Sequence, residues 1–179
     1  MDIFLNDLTW EEEDQALAES LKASGRTTIV SSFQKKAGKM ILDLPHPKFL
    51  DTADSTGVDY LPIDPFDQIV REATALKDIS ELVTPTFAGA MFLMSKLTEV
   101  GKPDVPAISQ KVLPLFARSG QNFIINFLGP PSSVSQKKYT IKTILASAIL
   151  NGSFSKEWFT NKYVFIGQDF SNYTELRVQ

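Results

Sequence analysis

The sequence predicts an α+β fold. A helical core of three to four helices surrounds a buried central helix at about residues 85–100 and packs on a small, mostly antiparallel sheet. Three observations predict it. At about 100° per residue, Phe87, Ala90, Met91, Leu93, Met94, Leu97 and Val100 cover roughly half a helix circumference, so that helix needs neighbours on two sides. Residues 27–33 (TTIVSSF) and 39–44 (KMILDL) read as two strands of a hairpin. Strands and helical patterns do not alternate regularly enough for a doubly wound sheet.

Taken in order, residues 1–25 read as an acidic N-terminal arm and helix, and 26–179 as a single globular α+β domain. Thr9 and Glu12 have capping-box spacing, so a helix should run from Trp10 to about Ser24 and end at Gly25. The hairpin follows, with 34–38 as its loop. Residues 45–64 contain Pro45, Pro47, Gly57 and Pro62 and read as an irregular excursion. Asp64-Pro65 is expected to open a helix reaching Val83, with Ile69, Val70, Ala73, Leu76, Ile79, Leu82 and Val83 on its buried face. Thr84 and Pro85 should start the central helix, and Gly101 and Pro103 should end it. A kinked helical segment around Pro114, a strand at 121–128, an amphipathic helix at 139–150, a short helix capped by Ser155, a strand at 162–167 and an edge strand near 173–178 complete the chain.

Composition removes several functions. The 179 residues are 43% hydrophobic and 22% charged, the balance of a globular domain rather than a disordered one. Without cysteine there are no disulfides, thiolate catalysis or cysteine zinc sites. No apolar run reaches the ~18 residues of a membrane span, and the acidic start does not match a signal peptide. These features set the expectation of an intracellular, reducing compartment with no signal peptide or transmembrane helix. His46, the one histidine, lies between two prolines and reads as a loop residue, and no nucleophile elbow or Gly-rich nucleotide loop accompanies it. Asp51, Asp54, Asp59 and Asp64 do not have calcium-loop spacing. The expectation is no catalytic residue, no metal and no cofactor.

Charge is distributed unevenly. Residues 1–20 contain seven acids and no basic residue, so the remainder carries +4 of a net charge of −3. Ile3, Phe4, Leu5, Leu8 and Trp10 beside those acids form a candidate arm for a partner or for assembly. Phe92 falls on the polar side of the central helix and is a candidate exposed aromatic. Lys35, Lys36 and Lys39, with Lys137, Lys138, Tyr139 and Lys142, form a candidate surface for nucleic acid or other anions. The residues are therefore read as a non-enzymatic interaction or assembly protein, self-associating through its acidic arm like a viral structural protein. The alternative is a single-stranded nucleic-acid-binding protein using the lysine loops 35–39 and 137–142. Expected partners are a second copy or another protein, with nucleic acid as the alternative and peripheral membrane contact left open.

Overall fold

Thr28, Ile29, Val30 and Ser31 are all buried, and they form the root of strand β1 (Thr28–Lys36). The computed structural model describes residues 1, 3–79, 82–99, 122–125 and 143–167. They belong to two units, Met1–Ile125 and Asn126–Gln179. In the first unit β1 pairs antiparallel with β2 (Lys39–Asp43), from Lys36↔Lys39 to Ser32↔Asp43. Only Ala37 and Gly38 turn the chain, at φ 50 and 82. Positive φ at both positions gives the turn whose twist matches its strands. The root of β1 pairs in parallel with β3 (Ser55–Val58), so the sheet order is β2-β1-β3. A parallel pair needs a crossover, and here it contains the single turn α2 (Pro47–Leu50).

Helix α1 (Glu11–Ser24) ends on Gly25 at φ 61, as its spacing predicts. Its start differs in detail. Buried Asp14, not Glu12, takes the Thr9 N–H at 2.8 Å and the Thr9 hydroxyl at 3.2 Å. Ala18 and Leu21 of α1 pack with Ile29 and Phe49, and Met1, Leu5, Leu17 and Ala53 close over them. The His46 N–H donates to the Leu5 carbonyl at 2.7 Å, and the Met1 nitrogen donates to the Thr28 carbonyl. The start of the chain therefore lies along its own unit.

The helix expected at 64–83 does not form. That stretch holds a loop and three short strands, β4 (Glu72–Ala73), β5 (Leu76–Ile79) and β6 (Leu82–Pro85). β5 and β6 pair antiparallel from Leu76↔Pro85 to Ile79↔Leu82. Leu76 and Ile79, three apart, are both buried although strand alternation puts them on opposite faces of β5, so a short strand buried on both faces carries the same spacing as a helix, and periodicity alone does not separate the two. Lys77 lies 4.1 Å from the centre of the Tyr60 ring, and Tyr60 meets Phe33 at 6.0 Å between ring centroids, so β5 is tied to the main sheet.

Helix α3 (Phe87–Glu99) forms where its apolar arc predicts, but it is not the centre of a helical core. It packs on β1 and β3, with Ala90 buried. Its cap is Thr86 rather than Thr84: the Gly89 N–H donates to the Thr86 hydroxyl at 3.1 Å. That hydroxyl also donates to the Thr74 carbonyl at 2.7 Å, and the Thr86 N–H to the Ala75 carbonyl at 2.9 Å. One buried threonine thus joins α3 to the chain entering β5. The described fold is a sheet-rich mixture of four helices and several small sheets, in place of the helical core read from the sequence.

In the second unit α4 (Ala146–Leu150) is shorter than the helix read at 139–150. Leu145 is extended, and Gly152 at φ 70 ends the helix. The Gly152 and Ser153 N–H groups return to the Ile149 and Ala148 carbonyls at 3.0 and 2.8 Å, a left-handed C-terminal cap. A 3₁₀ turn, Lys156–Trp158, follows Ser155, where a short helix was read. Of residues 162–167, read as a strand, 162–166 carry no ladder and Gly167 makes a single bridge. The segment around Pro114, the ends of the strand read at 121–128, residues 139–142 and the tail at 173–178 lie outside the described residues.

Candidate ligand cleft

Pro62, Ile63, Asp64, Pro65, Ile69, Arg71, Glu72 and Asn122 line a cleft of about 290 Å³ in the first unit. One wall is a loop closed by the antiparallel bridge Ile63↔Val70. Turn chemistry builds that loop. The Asp64 side chain accepts the Phe66 N–H at 2.9 Å, and the Asp67 side chain accepts the Ile69 N–H at 3.1 Å. These are the turns that Asp favours through its short acceptor side chain. Gln68 sits at φ 61, a left-handed position that a non-glycine residue seldom occupies. Its backbone is held there by its N–H to the Asp64 carbonyl at 2.9 Å and by the Asp64 N–H to the Ile69 carbonyl at 3.2 Å.

Arg71 clamps the loop. Its two terminal nitrogens meet both oxygens of Asp67 at 2.8 and 2.6 Å, and one also reaches Asp64 at 3.3 Å. A forked pair of this kind fixes direction as well as distance. The floor is β4 paired with β7 (Phe123–Ile124), extended by the Ile125 N–H to the Arg71 carbonyl at 2.9 Å. Across it the Asn122 amide donates to Glu72 at 2.7 Å. Two prolines and two isoleucines therefore form apolar walls around one guanidinium and two carboxylates.

The Arg71 hydrogen bond, followed by that from the Ile69 N–H, holds the Asp67 carboxyl below its ordinary value. Asp67 raises the Arg71 guanidinium in turn. Both groups face solvent. A carboxyl with a lowered folded-state pKa contributes stability above its unfolded pKa and loses it as pH falls through the folded value. The clamp should therefore hold through neutral and mildly acid pH and open only below the ordinary Asp range. An NMR titration of the Ile69 and Gln68 amides checks this. Asp67→Asn should shift those amides to their acid-form positions at neutral pH; unmoved amides would show that the clamp does not order the loop.

The residues singled out from the sequence fall elsewhere. Leu5 packs on the core, whereas Ile3, Phe4 and Leu8 are exposed and Trp10 is 72% exposed. Phe92 on α3 is 41% exposed. Lys35, Lys36 and Lys39 are exposed at the tip of the β1–β2 hairpin. Lys137, Lys138, Tyr139 and Lys142 lie outside the described residues. His46 is not a plain loop residue: its ring nitrogen caps α2 by accepting the Lys48 N–H at 3.2 Å, and its ring meets Phe49 edge-on. Sequence reasoning missed Arg71, Glu72 and Asn122. The usable signal was Asp64-Pro-Phe-Asp67 with Arg71 four residues on, a turn and its clamp rather than a helix start.

The described residues thus form a sheet-rich mixed fold with a cleft in the first unit. The model of the CHASE2 domain matches residues 1–178, and the chain belongs to this family. Comparison with curated proteins found no match, and comparison with solved structures found none either. CHASE2 domains are extracellular sensory domains found in signalling proteins. That family assignment overturns the reading of a self-assembling, viral-type structural protein and its nucleic-acid-binding alternative. It also overturns the intracellular placement. Lack of cysteine excludes disulfides on either side of a membrane, so it could not choose a compartment. Among the described residues, no helix is long and apolar enough to cross a membrane.

Proposed function

We propose that this chain is an extracytoplasmic sensory module that binds a small molecule in the Arg71 cleft and acts without turning it over. The match to the CHASE2 domain over residues 1–178 carries this reading. The cleft supports it. Its volume of about 290 Å³ is close to the lower end of small-molecule sites, roughly 300–1,000 Å³. Apolar walls with a few placed polar groups are the usual composition of such sites. Part of one wall is an exposed loop held by its own turns, one bridge and the Arg71 clamp, so occupancy can alter residues 62–71 without disturbing the buried root of β1.

A thermal-shift screen of small metabolites spanning cationic, anionic and neutral classes tests the proposal. A ligand at about 100 times its Kd stabilises by roughly 2.7 kcal/mol, a rise of about 5–10 °C for a chain of this size. Ile69→Trp, which fills the cleft from an exposed position, should abolish the shift and leave the unliganded melting point nearly unchanged. Equal stabilisation of both proteins would place binding elsewhere. Failure of every class to stabilise the wild type would remove the reading.

A further inference from the structure

We infer that the β1–β2 hairpin docks on the anionic headgroup surface of a phospholipid bilayer. Lys35, Lys36 and Lys39 are exposed at its tip. The register sets Lys36 directly opposite Lys39, an arrangement of like charges that weakens a hairpin unless something anionic neutralises it. Among the described residues no carboxylate pairs with any of the three. The turn residues, Ala37 and Gly38, place no bulky side chain between the lysines and a flat surface. Strand alternation puts exposed Ile41 on the same face as Lys36 and Lys39. A cationic end with an aliphatic side chain behind it matches phosphates lying above the acyl boundary.

Distance makes the contact workable. Without these three lysines the chain sums to −6, given its net −3, so an anionic surface repels the protein as a whole. The tip lies roughly 17 Å along the strand from Ser31, the last buried residue of β1, at about 3.3 Å per residue. Charges are screened beyond about 8 Å at physiological salt. The lysines therefore meet the surface while much of the body's charge is screened from it. The one carboxylate of the hairpin, Asp43, sits at the base opposite Ser32, where Asn6, Ser32 and Gln34 donate to it. A membrane surface suits an extracellular sensory domain of signalling proteins. The inference does not depend on the cleft being a ligand site.

Co-sedimentation of the full chain with vesicles tests it. The probes are phosphatidylcholine alone and phosphatidylcholine containing phosphatidylglycerol. At about 1 kcal/mol per lysine, the anionic vesicles should bind roughly 100-fold more tightly at low salt, and the gap should narrow as salt is added. The triple variant Lys35→Gln, Lys36→Gln, Lys39→Gln should fall to the neutral-vesicle level while melting at or slightly above the wild-type temperature. Ile41→Ser should weaken binding to anionic vesicles by a smaller factor. Equal binding to both vesicle types, no binding to either, or a triple variant that binds like the wild type would overturn the inference. So would release by inorganic phosphate beyond that caused by chloride of matched ionic strength, because that would make free phosphate the ligand.

Discussion

Gly89→Ala is expected to destabilise the first unit by about 3 kcal/mol, although helix propensity alone argues the reverse. Gly89 lies in the first turn of α3, where alanine gains about 1 kcal/mol over glycine in a free helix. The added Cβ, however, would stand 2.2 Å from the Ala75 carbonyl oxygen and 3.0 Å from its carbon. Both are backbone atoms, so no rotamer relieves the overlap. Moving α3 outward would strain the Thr86 bonds to Thr74 and Ala75. Gly57→Ala meets the same obstacle from the sheet side, 2.6 Å from the Thr86 oxygen and 2.8 Å from the Phe87 Cα. Urea denaturation of each variant checks the sign. Wild-type stability or better in both would show that α3 does not sit this close to Ala75 and β3.

Phe49→Ala should cost about 3–5 kcal/mol, the range for emptying a large buried aromatic. Phe49 is 1% exposed and lies between α1 and β1, touching the cluster of Ala18, Leu21 and Ile29. Met1 and Leu5 close over that cluster, so the cavity should also loosen the start of the chain. Proteolysis should therefore cut the variant before residue 10 faster than the wild type, while the melting point falls. Because domain stability totals only about 5–15 kcal/mol, a drop under 1 kcal/mol would show that this cluster is not the core.

What the sequence made legible follows local physics. The β1–β2 hairpin, the Gly25 end of α1 and the apolar arc of α3 are readable because propensity, the C-terminal cap and periodicity agree there. β3 is not. Ser-Thr-Gly-Val holds two β-branched residues, but the run is short and Gly57 interrupts it, because α3 crosses so close to Gly57 that a side chain there is excluded. The stretch 64–83 misled for a different reason. Ile69, Val70, Ala73, Leu76 and Ile79 have helical spacing, yet the Asp64 and Asp67 turns and the left-handed Gln68 break the helix before it begins. The cleft depends on Asn122 meeting Glu72 across fifty residues, a contact that no local pattern encodes. Charge asymmetry could not decide whether the acidic leader docks on its own chain or on another; Met1 and Leu5 pack on the first unit and bond to residues 28 and 46 of it.

Amide hydrogen exchange of the full chain, with and without a compound that stabilises it, reads out whether a small molecule binds in the Arg71 cleft. Binding there should bring new protection at residues 62–72 and 122–125 and leave the exchange of 28–31 unchanged. Protection confined to other residues, or a stabilising compound that leaves 62–72 exchanging as before, would contradict it.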